Sequence, residues 1–458
     1  MKVFGSSGVR GVVNETVTPE YALQVAMAAG SVWRNEWGVS RVAIAHDTRT
    51  SRGMIADAAK SGLTSVGLNV DYLGTVPTPG AQAYADGEGI PALMVTASHN
   101  PPQHNGIKLI GRDGIELAVD QLERVEQRLL GEQFERAEWS DIGQSRAVDG
   151  VQREYVDQLL AAVDRERIAD ADLTVALDPG HGAGSVTSPM FFRELGCQVL
   201  TINAQPDGHF PGRKPEPVAD NLEGLQRLVE TAEADLGVAH DGDADRAVFV
   251  DERGEFIEGD VALAALAEAE LDVGDGVVSA VSSSQRLVDV AEEAGAELHL
   301  TQIGSSHIVT KIQQLQKEGT EVPIAGEGNG GIIFSEYRTV RDGAYTAARF
   351  CELLADRRAS EIAADYDDYY NVRKNVSYDD EGERSAMIDA IERVGRETEA
   401  RLNTIDGYRL EFNDGWVLAR PSGTEPLIRV YAEAHDPDRA DELAALMYDA
   451  ITEAADAA

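Results

Sequence analysis

Leu173-Thr-Val-Ala-Leu177 runs straight into Asp178-Pro-Gly-His-Gly-Ala-Gly184, and this junction sets the fold class. The first five residues read as a short buried strand, and the Gly/Pro-rich segment behind them continues neither strand nor helix. Strands over 198–202 and 236–239 follow, separated by helical patterning. The rhythm repeats on both sides. Upstream lie Arg41-Val-Ala-Ile-Ala-His46, a helix over 54–67 and strands over 70–73 and 92–95. Downstream lie Val277-Val-Ser-Ala-Val281, a helix over 285–294 and a strand over 322–325. Three βα-type units in tandem are the simplest reading.

After about residue 366 the pattern changes to a strand over 370–376, an amphipathic helix over 384–402, strands over 407–412, 416–419 and 427–434, and a terminal helix. The expected fold class is α/β with four domains, three mixed α/β sandwich-like units and a C-terminal α+β unit. Polar or Gly-containing segments place the boundaries so that the domains span 1–148, 149–252, 253–365 and 366–458.

The 458 residues carry 80 Asp and Glu against 40 Lys and Arg, a formal charge of −40, and 43% of the chain is hydrophobic. That length holds several cores and needs no disulfide or structural metal to fold. Such a charge repels nucleic-acid phosphates and anionic membranes, and no basic patch offsets it, so neither is an expected partner. Apolar stretches such as 261–267 fall well short of the ~20 residues that span a bilayer, and the N-terminus shows no signal-peptide pattern. Cys197 and Cys351, far apart in the chain, fit a reducing compartment rather than a disulfide framework. The expected localisation is cytoplasmic, and a homo-oligomer is compatible with the sequence. Abundant carboxylates with only seven lysines match the composition of cytoplasmic proteins from halophiles.

Five segments carry chemistry. Asp241-Gly-Asp-Ala-Asp-Arg246 follows an apolar strand. In an extended segment alternate side chains project to one side, so Asp241, Asp243 and Asp245 converge on one cation. Oxygen-only ligands with open positions suit Mg²⁺. An EF-hand loop requires Gly at its sixth position, where Arg246 stands, although Glu252 fits the twelfth. A solvated acidic turn is the plain alternative.

Thr96-Ala-Ser-His-Asn-Pro-Pro102 ends a buried-looking strand, where open α/β sheets place functional loops. Ser98 would point out of the strand end, with His99 and Lys108 beside it for proton transfer and Asn105-Gly106 fixing a rigid turn. An ordinary N-cap serine is the alternative. Arg420-Pro-Ser-Gly-Thr-Glu-Pro426 can turn N–H groups and hydroxyls around an anion, with Arg420 and Arg429 adding forked hydrogen bonds. A tight hairpin is the competing reading. Gly326-Glu-Gly-Asn-Gly-Gly331 puts Glu327 and Asn329 on a Gly-rich loop, and Phe4-Gly-Ser-Ser-Gly-Val-Arg-Gly11 offers one cation, Arg10.

Taken together and in this order, the five segments resemble the α-D-phosphohexomutase family over essentially the whole chain. The resemblance implies four domains around a central cleft. It also implies exchange of the 1- and 6-phosphates of a hexose through a phosphoserine and a hexose 1,6-bisphosphate. It assigns phosphoryl transfer to Ser98, one Mg²⁺ to Ser98, Asp241, Asp243 and Asp245, and acid/base work to Lys108 with His99 assisting. Arg10 and Arg246 would join Lys108 in stabilising the transferring phosphoryl. Glu327 and Asn329 would bind sugar hydroxyls, and Arg420, Ser422, Gly423, Thr424 and Arg429 the phosphate that is not transferred. The sugar loop of the family commonly reads Gly-Glu-x-Ser-Gly, and Asn329 stands in the serine position as in archaeal members. Glucosamine phosphate is the expected substrate, with mannose and glucose phosphates as alternatives; a sugar-phosphate phosphohydrolase is the reading from another class.

Overall fold

The computed structural model describes residues 8–422 and 425–457. Within them the strands form four sheets. The first contains β1 (Val9–Val12), β2 (Arg41–His46), β3 (Asn69–Thr75), β4 (Ala92–Val95), β5 (His104–Ile110) and β6 (Ser145–Ala147), in the order β1-β5-β4-β2-β3-β6. The second contains β7 (Thr174–Asp178), β8 (Gln198–Thr201), β9 (Leu236–Ala239), β10 (Val248–Val250) and β11 (Phe256–Ile257), ordered β11-β10-β9-β7-β8. The third contains β12 (Gly276–Ala280), β13 (Glu297–Thr301), β14 (Ile324–Glu327), β15 (Gly331–Phe334) and β16 (Arg338–Arg341), ordered β13-β12-β14-β15-β16.

These three sheets repeat one plan. A central strand (β2, β7 or β12) pairs in parallel with two neighbours. One of those neighbours (β4, β9 or β14) carries an antiparallel partner (β5, β10 or β15). The connection into that partner leaves the carboxyl end of a parallel strand each time, the position where open α/β sheets gather ligand-binding loops. The three connections are 96–103, 240–247 and 328–330. They hold Ser98, the aspartates and Asn329, and Glu327 ends the strand before the third.

The fourth sheet, β17 (Tyr370–Ser377), β18 (Arg401–Asn403), β19 (Tyr408–Phe412), β20 (Gly415–Pro421) and β21 (Leu427–Ala434), is antiparallel throughout, in the order β17-β21-β20-β19-β18. Helix Glu381–Glu397 is shorter than the 384–402 expected at its C-terminal end. It starts where the Asp380 side chain accepts from the N–H groups of Gly382 and Glu383. It stops at Thr398, and Arg401–Asn403 pairs with β19 instead. Helix Gln285–Ala294 matches its expected span: Ser284 caps it by accepting from Arg286 N, and Gly295 ends it with φ +72°.

The second and third sheets share one hydrophobic core, with Phe249 stacked on Phe350 at a ring-centroid distance of 4.2 Å. The fourth sheet has its own core around Leu410, Val430 and Met447. It meets the third through Val281, Trp416 and Leu418 and a buried polar latch. In that latch Glu433 accepts from Gln285 N at 2.6 Å and Trp416 Nε1 at 3.1 Å, and Arg409 donates to the carbonyls of Val281 and Ser283 at 2.6 and 3.0 Å. Among the described residues no helix is long and apolar enough to cross a membrane.

Candidate active site

Ser98 sits just beyond β4 in the left-handed region, φ +51°, and is fully buried. A non-glycine residue there costs about 1–2 kcal/mol, so the surroundings must hold it. Thr96 Oγ1 accepts from Ser98 N at 2.9 Å and donates to Asp47 Oδ2 at 2.7 Å. Arg49 donates Nε to Asp47 at 3.0 Å. Its Nη1 reaches the carbonyls of Pro101 and His104, at 2.7 and 2.9 Å, and its Nη2 those of Ser98 and Asn100, at 2.8 and 2.7 Å.

Asn105 and Gly106, expected in a turn, belong to β5 and pair with β1. Glycine is needed there for closeness: a Cβ on Gly106 would lie 2.2 Å from Val9 O and 2.8 Å from Thr96 O.

The three aspartates do converge, but not by strand alternation. The segment after β9 is a turn, with Ala244 at φ +55°, and this fold-back brings ligand oxygens of Asp241, Asp243 and Asp245 within 4.8 Å of one another. Each carboxylate has one anchored oxygen. Ser98 Oγ donates to Asp241 Oδ2 at 2.7 Å; Lys108 Nζ donates to Asp243 Oδ2 at 2.8 Å and Asp245 Oδ2 at 2.9 Å. Thr78 Oγ1 also reaches Asp243 Oδ2, at 2.5 Å, and Arg341 Nη2 reaches Asp245 Oδ2 at 2.6 Å. The Oδ1 atom of all three is buried with no hydrogen-bond partner. Three orphaned anionic oxygens so close together are costly in a dry site, and they fit a hard divalent cation. Glu252 takes no part, since it accepts from the N–H and hydroxyl of Ser360.

Burial, and then the charges of Asp243 and Asp245, push the Asp241 carboxyl well up. Burial pulls the Lys108 ammonium down, but the charges of Asp243, Asp245 and Glu116 outweigh it and hold the group above its ordinary value. His99 Nδ1 lies 3.3 Å from Ser98 Oγ, and burial followed by the charges of Arg246 and Arg10 drives its pKa down, so the imidazole is neutral. Arg10 donates to Asn100 Oδ1 at 3.2 Å, and Arg246 Nε stands 3.9 Å from Asp245 Oδ1. A local set of cations thus gathers around the aspartates in a chain with net charge −40.

The Gly-rich loop packs directly on the aspartate loop: Ala247 N donates to Gly330 O at 3.0 Å. Glu327 accepts from Gly304 N at 3.3 Å and Asn329 Nδ2 at 3.4 Å, and Asn329 Oδ1 accepts from Gly331 N at 3.0 Å. The loop of the fourth sheet connects through Asp406, whose Oδ2 pairs with Arg420 at 3.2 Å and accepts from Ile303 N at 3.1 Å. Arg429 pairs with Glu425, so both arginines hold carboxylates of the chain itself. Ser422 Oγ accepts from Glu425 N at 3.3 Å. Gly423 and Thr424 lie outside the described residues.

Sequence reading missed Asp47, Arg49, Thr78, Glu116 and Arg341. One signal was available, for Asp47 and Arg49 alone: in a chain with only 40 cations, an arginine two residues from an aspartate at the end of an apolar strand, Arg41–His46, marks a buried charge.

Family models described as phosphoglucomutase/phosphomannomutase match all four units: alpha/beta/alpha domain I over 1–136, domain II over 153–254, domain III over 258–369 and the C-terminal domain over 374–450. A phosphoglucomutase/phosphomannomutase of Thermococcus kodakarensis is 41% identical over 452 residues, covering 96% of each chain. A probable phosphoglucosamine mutase of Methanopyrus kandleri is 40% identical over 448 residues, again covering 96% of each. The crystal structure of a phosphoglucomutase/phosphomannomutase family protein from Burkholderia thailandensis superposes with a TM-score of 0.86 at 27% identity, covering 99% of this chain and 97% of that one. With the same four units in the same order, the chain belongs to the phosphoglucomutase/phosphomannomutase family and is a phosphohexomutase, an isomerase.

Proposed function

We propose that the protein interconverts the 6- and 1-phosphates of glucosamine through a phosphorylated Ser98 and a hexose 1,6-bisphosphate. The observation that supports this most directly is the Ser98 hydroxyl at 2.7 Å from Asp241, beside three orphaned carboxylate oxygens. Four domains spanning 1–148, 149–252, 253–365 and 366–458 would carry the reaction.

Ser98 gives its phosphoryl group to the free hydroxyl of the sugar monophosphate and takes back the other phosphate once the bisphosphate has turned around. Asp241, Asp243 and Asp245 would hold Mg²⁺ with the Ser98 phosphate. The ion would supply electrostatic stabilisation of the charge on the transferring oxygens. Arg10, Arg246 and Lys108 add fixed positive charge to the same oxygens. Lys108 would handle the proton of the sugar hydroxyl once a cation takes over the charges of Asp243 and Asp245 that hold its ammonium protonated, and the neutral His99 assists at Ser98 Oγ. Glu327 and Asn329 bind sugar hydroxyls. Arg420, Ser422, Gly423, Thr424 and Arg429 hold the idle phosphate, which would displace Asp406 and Glu425 from the two arginines. Closing the site against water protects the phosphoserine from hydrolysis.

The name of the Methanopyrus relative supports glucosamine. That of the Thermococcus relative supports mannose and glucose as the alternatives. ³¹P NMR in high KCl, with Mg²⁺ and a trace of hexose 1,6-bisphosphate, separates these when the three sugar 1-phosphates are offered singly. The expected result is conversion to the 6-phosphate, fastest for glucosamine and abolished in Ser98→Ala. Faster turnover of mannose or glucose would overturn the sugar assignment, and release of free phosphate would favour a hydrolase.

A further inference from the structure

Arg341 ends β16 in the third sheet, yet its guanidinium lies on the aspartate loop of the second. Nη2 donates to Asp245 Oδ2 at 2.6 Å and stands 3.8 Å from Glu116 Oε1, and the side chain is buried. Glu116, from the first unit, also stands 3.8 Å from Lys108 Nζ and accepts from Ser305 Oγ of the third unit at 2.8 Å. Lys108 of the first unit also donates to Asp245 Oδ2, at 2.9 Å, so residues of three units meet at one oxygen of Asp245.

The base of Arg341 is rigid. Asp342 caps helix Gly343–Leu353 by accepting from Ala344 N and Tyr345 N. Gly343 N donates to Ala244 O at 3.2 Å, and a Cβ on Gly343 would lie 2.2 Å from Arg246 O. On its other flank the Arg341 stem closes over the Gly-rich loop, where a Cβ on Gly331 would stand 2.8 Å from Arg341 Cδ and 3.0 Å from Asn329 Oδ1.

A carboxylate held at one oxygen presents the other in a fixed direction. We infer that Arg341, with Glu116 offsetting its charge, is a positioning residue that aims Asp245 Oδ1 at a divalent cation and ties that aim to the loop carrying Glu327 and Asn329. The inference rests on the reading that Asp241, Asp243 and Asp245 hold a cation. Hydrogen-bond partners that orient metal ligands typically change metal affinity by about 10–100-fold. Simple electrostatics gives the opposite sign, since removing a neighbouring guanidinium removes repulsion and should tighten binding. The two accounts are separable.

The test is Mn²⁺ binding to the full chain, followed by electron paramagnetic resonance of the free ion, for wild type and for Arg341→Lys, Arg341→Gln and Arg341→Met. The expected result is one Mn²⁺ per wild-type chain and an affinity at least about 10-fold weaker in the Gln and Met variants. Lysine should recover part of the loss. The lysine and glutamine variants carry the test if the apolar one fails to fold. Affinity that is unchanged or tighter in the Gln variant, or no better with lysine than with glutamine, overturns the positioning role. Absence of stoichiometric Mn²⁺ on the wild-type chain overturns the cation reading itself, a distinct result.

Discussion

Arg49 Nη2 donates to the main-chain oxygen of Ser98 at 2.8 Å, so the residue expected to carry the phosphoryl group is held through its backbone by a side chain from a different strand end. All five N–H directions of that guanidinium are used, on Asp47 and on the carbonyls of Ser98, Asn100, Pro101 and His104. An ammonium has three donors on a flexible stem and cannot reproduce this fork. Arg49→Lys is expected to fold with a lower melting temperature and to lose roughly 100-fold in kcat at unchanged KM, since a displacement of about 1 Å at a nucleophile has that effect. Arg49→Met strands the buried Asp47 and should lose about 3–5 kcal/mol. Thermal unfolding and steady-state kinetics on both variants check this, and an unchanged kcat in the lysine variant would remove the positioning role of Arg49.

Gly106→Ala puts a methyl group against Val9 O and Thr96 O. The strand must shift, at about 1–3 kcal/mol, and the Ser98 loop shifts with it. Gly87→Ala is the matched control, because nothing lies within 4 Å of its Cβ position inside helix Thr78–Glu88. It should instead stabilise the protein by about 0.5–1 kcal/mol. Melting temperatures of opposite sign are the expected readout.

Asp241→Asn removes one of three crowded negative charges. Burial and its neighbours raise the Asp241 pKa above its unfolded value, so ionising it opposes folding as pH rises. In EDTA at neutral pH the variant should therefore melt higher than wild type. Adding Mg²⁺ should raise the melting temperature of wild type and leave the variant nearly unmoved. A variant that responds to Mg²⁺ as wild type does would sink the assignment of this ligand.

Asp260 is 7% exposed, and burial pushes its carboxyl from 3.8 up to about 6, against the opposing charge of Arg373. A raised folded-state pKa favours folding below the unfolded value, and that contribution disappears as pH rises through about 6. Asp260→Asn should match wild type below pH ~4 and gain up to about 2–3 kcal/mol above pH ~6. Chemical denaturation across this range tests it, and a gain independent of pH would contradict the mechanism.

Whereas the parallel edge strands Ser145–Ala147 and Glu297–Thr301 carry polar side chains and went unread, the inner parallel strands were legible because they are short apolar runs, as at Thr174–Asp178. The edge strands were not: Phe256–Ile257 is two residues long, and Arg401–Asn403 carries polar side chains that its helical neighbourhood absorbed. Within the site, residues on contiguous motifs could be found from type and spacing. Glu116 and Arg341 act through contacts far apart in sequence, such as the 96-residue separation between Arg341 and Asp245, and spacing carries no trace of them, whereas Arg49 left only its neighbour Asp47 as a sign. The aspartates were named on a wrong geometric premise, since they meet through the turn at Ala244 rather than along a strand.

The core shared by the second and third sheets changes what counts as an exchangeable part of this protein. Phe249 packs on Phe350 across the unit boundary, so either unit taken alone from a relative would arrive with half of a mismatched interior. The first and last units each have a core of their own, so a replacement there must match only the contacts at its border, such as Trp416 and Leu418 on Val281; the middle two have to be inherited as a pair.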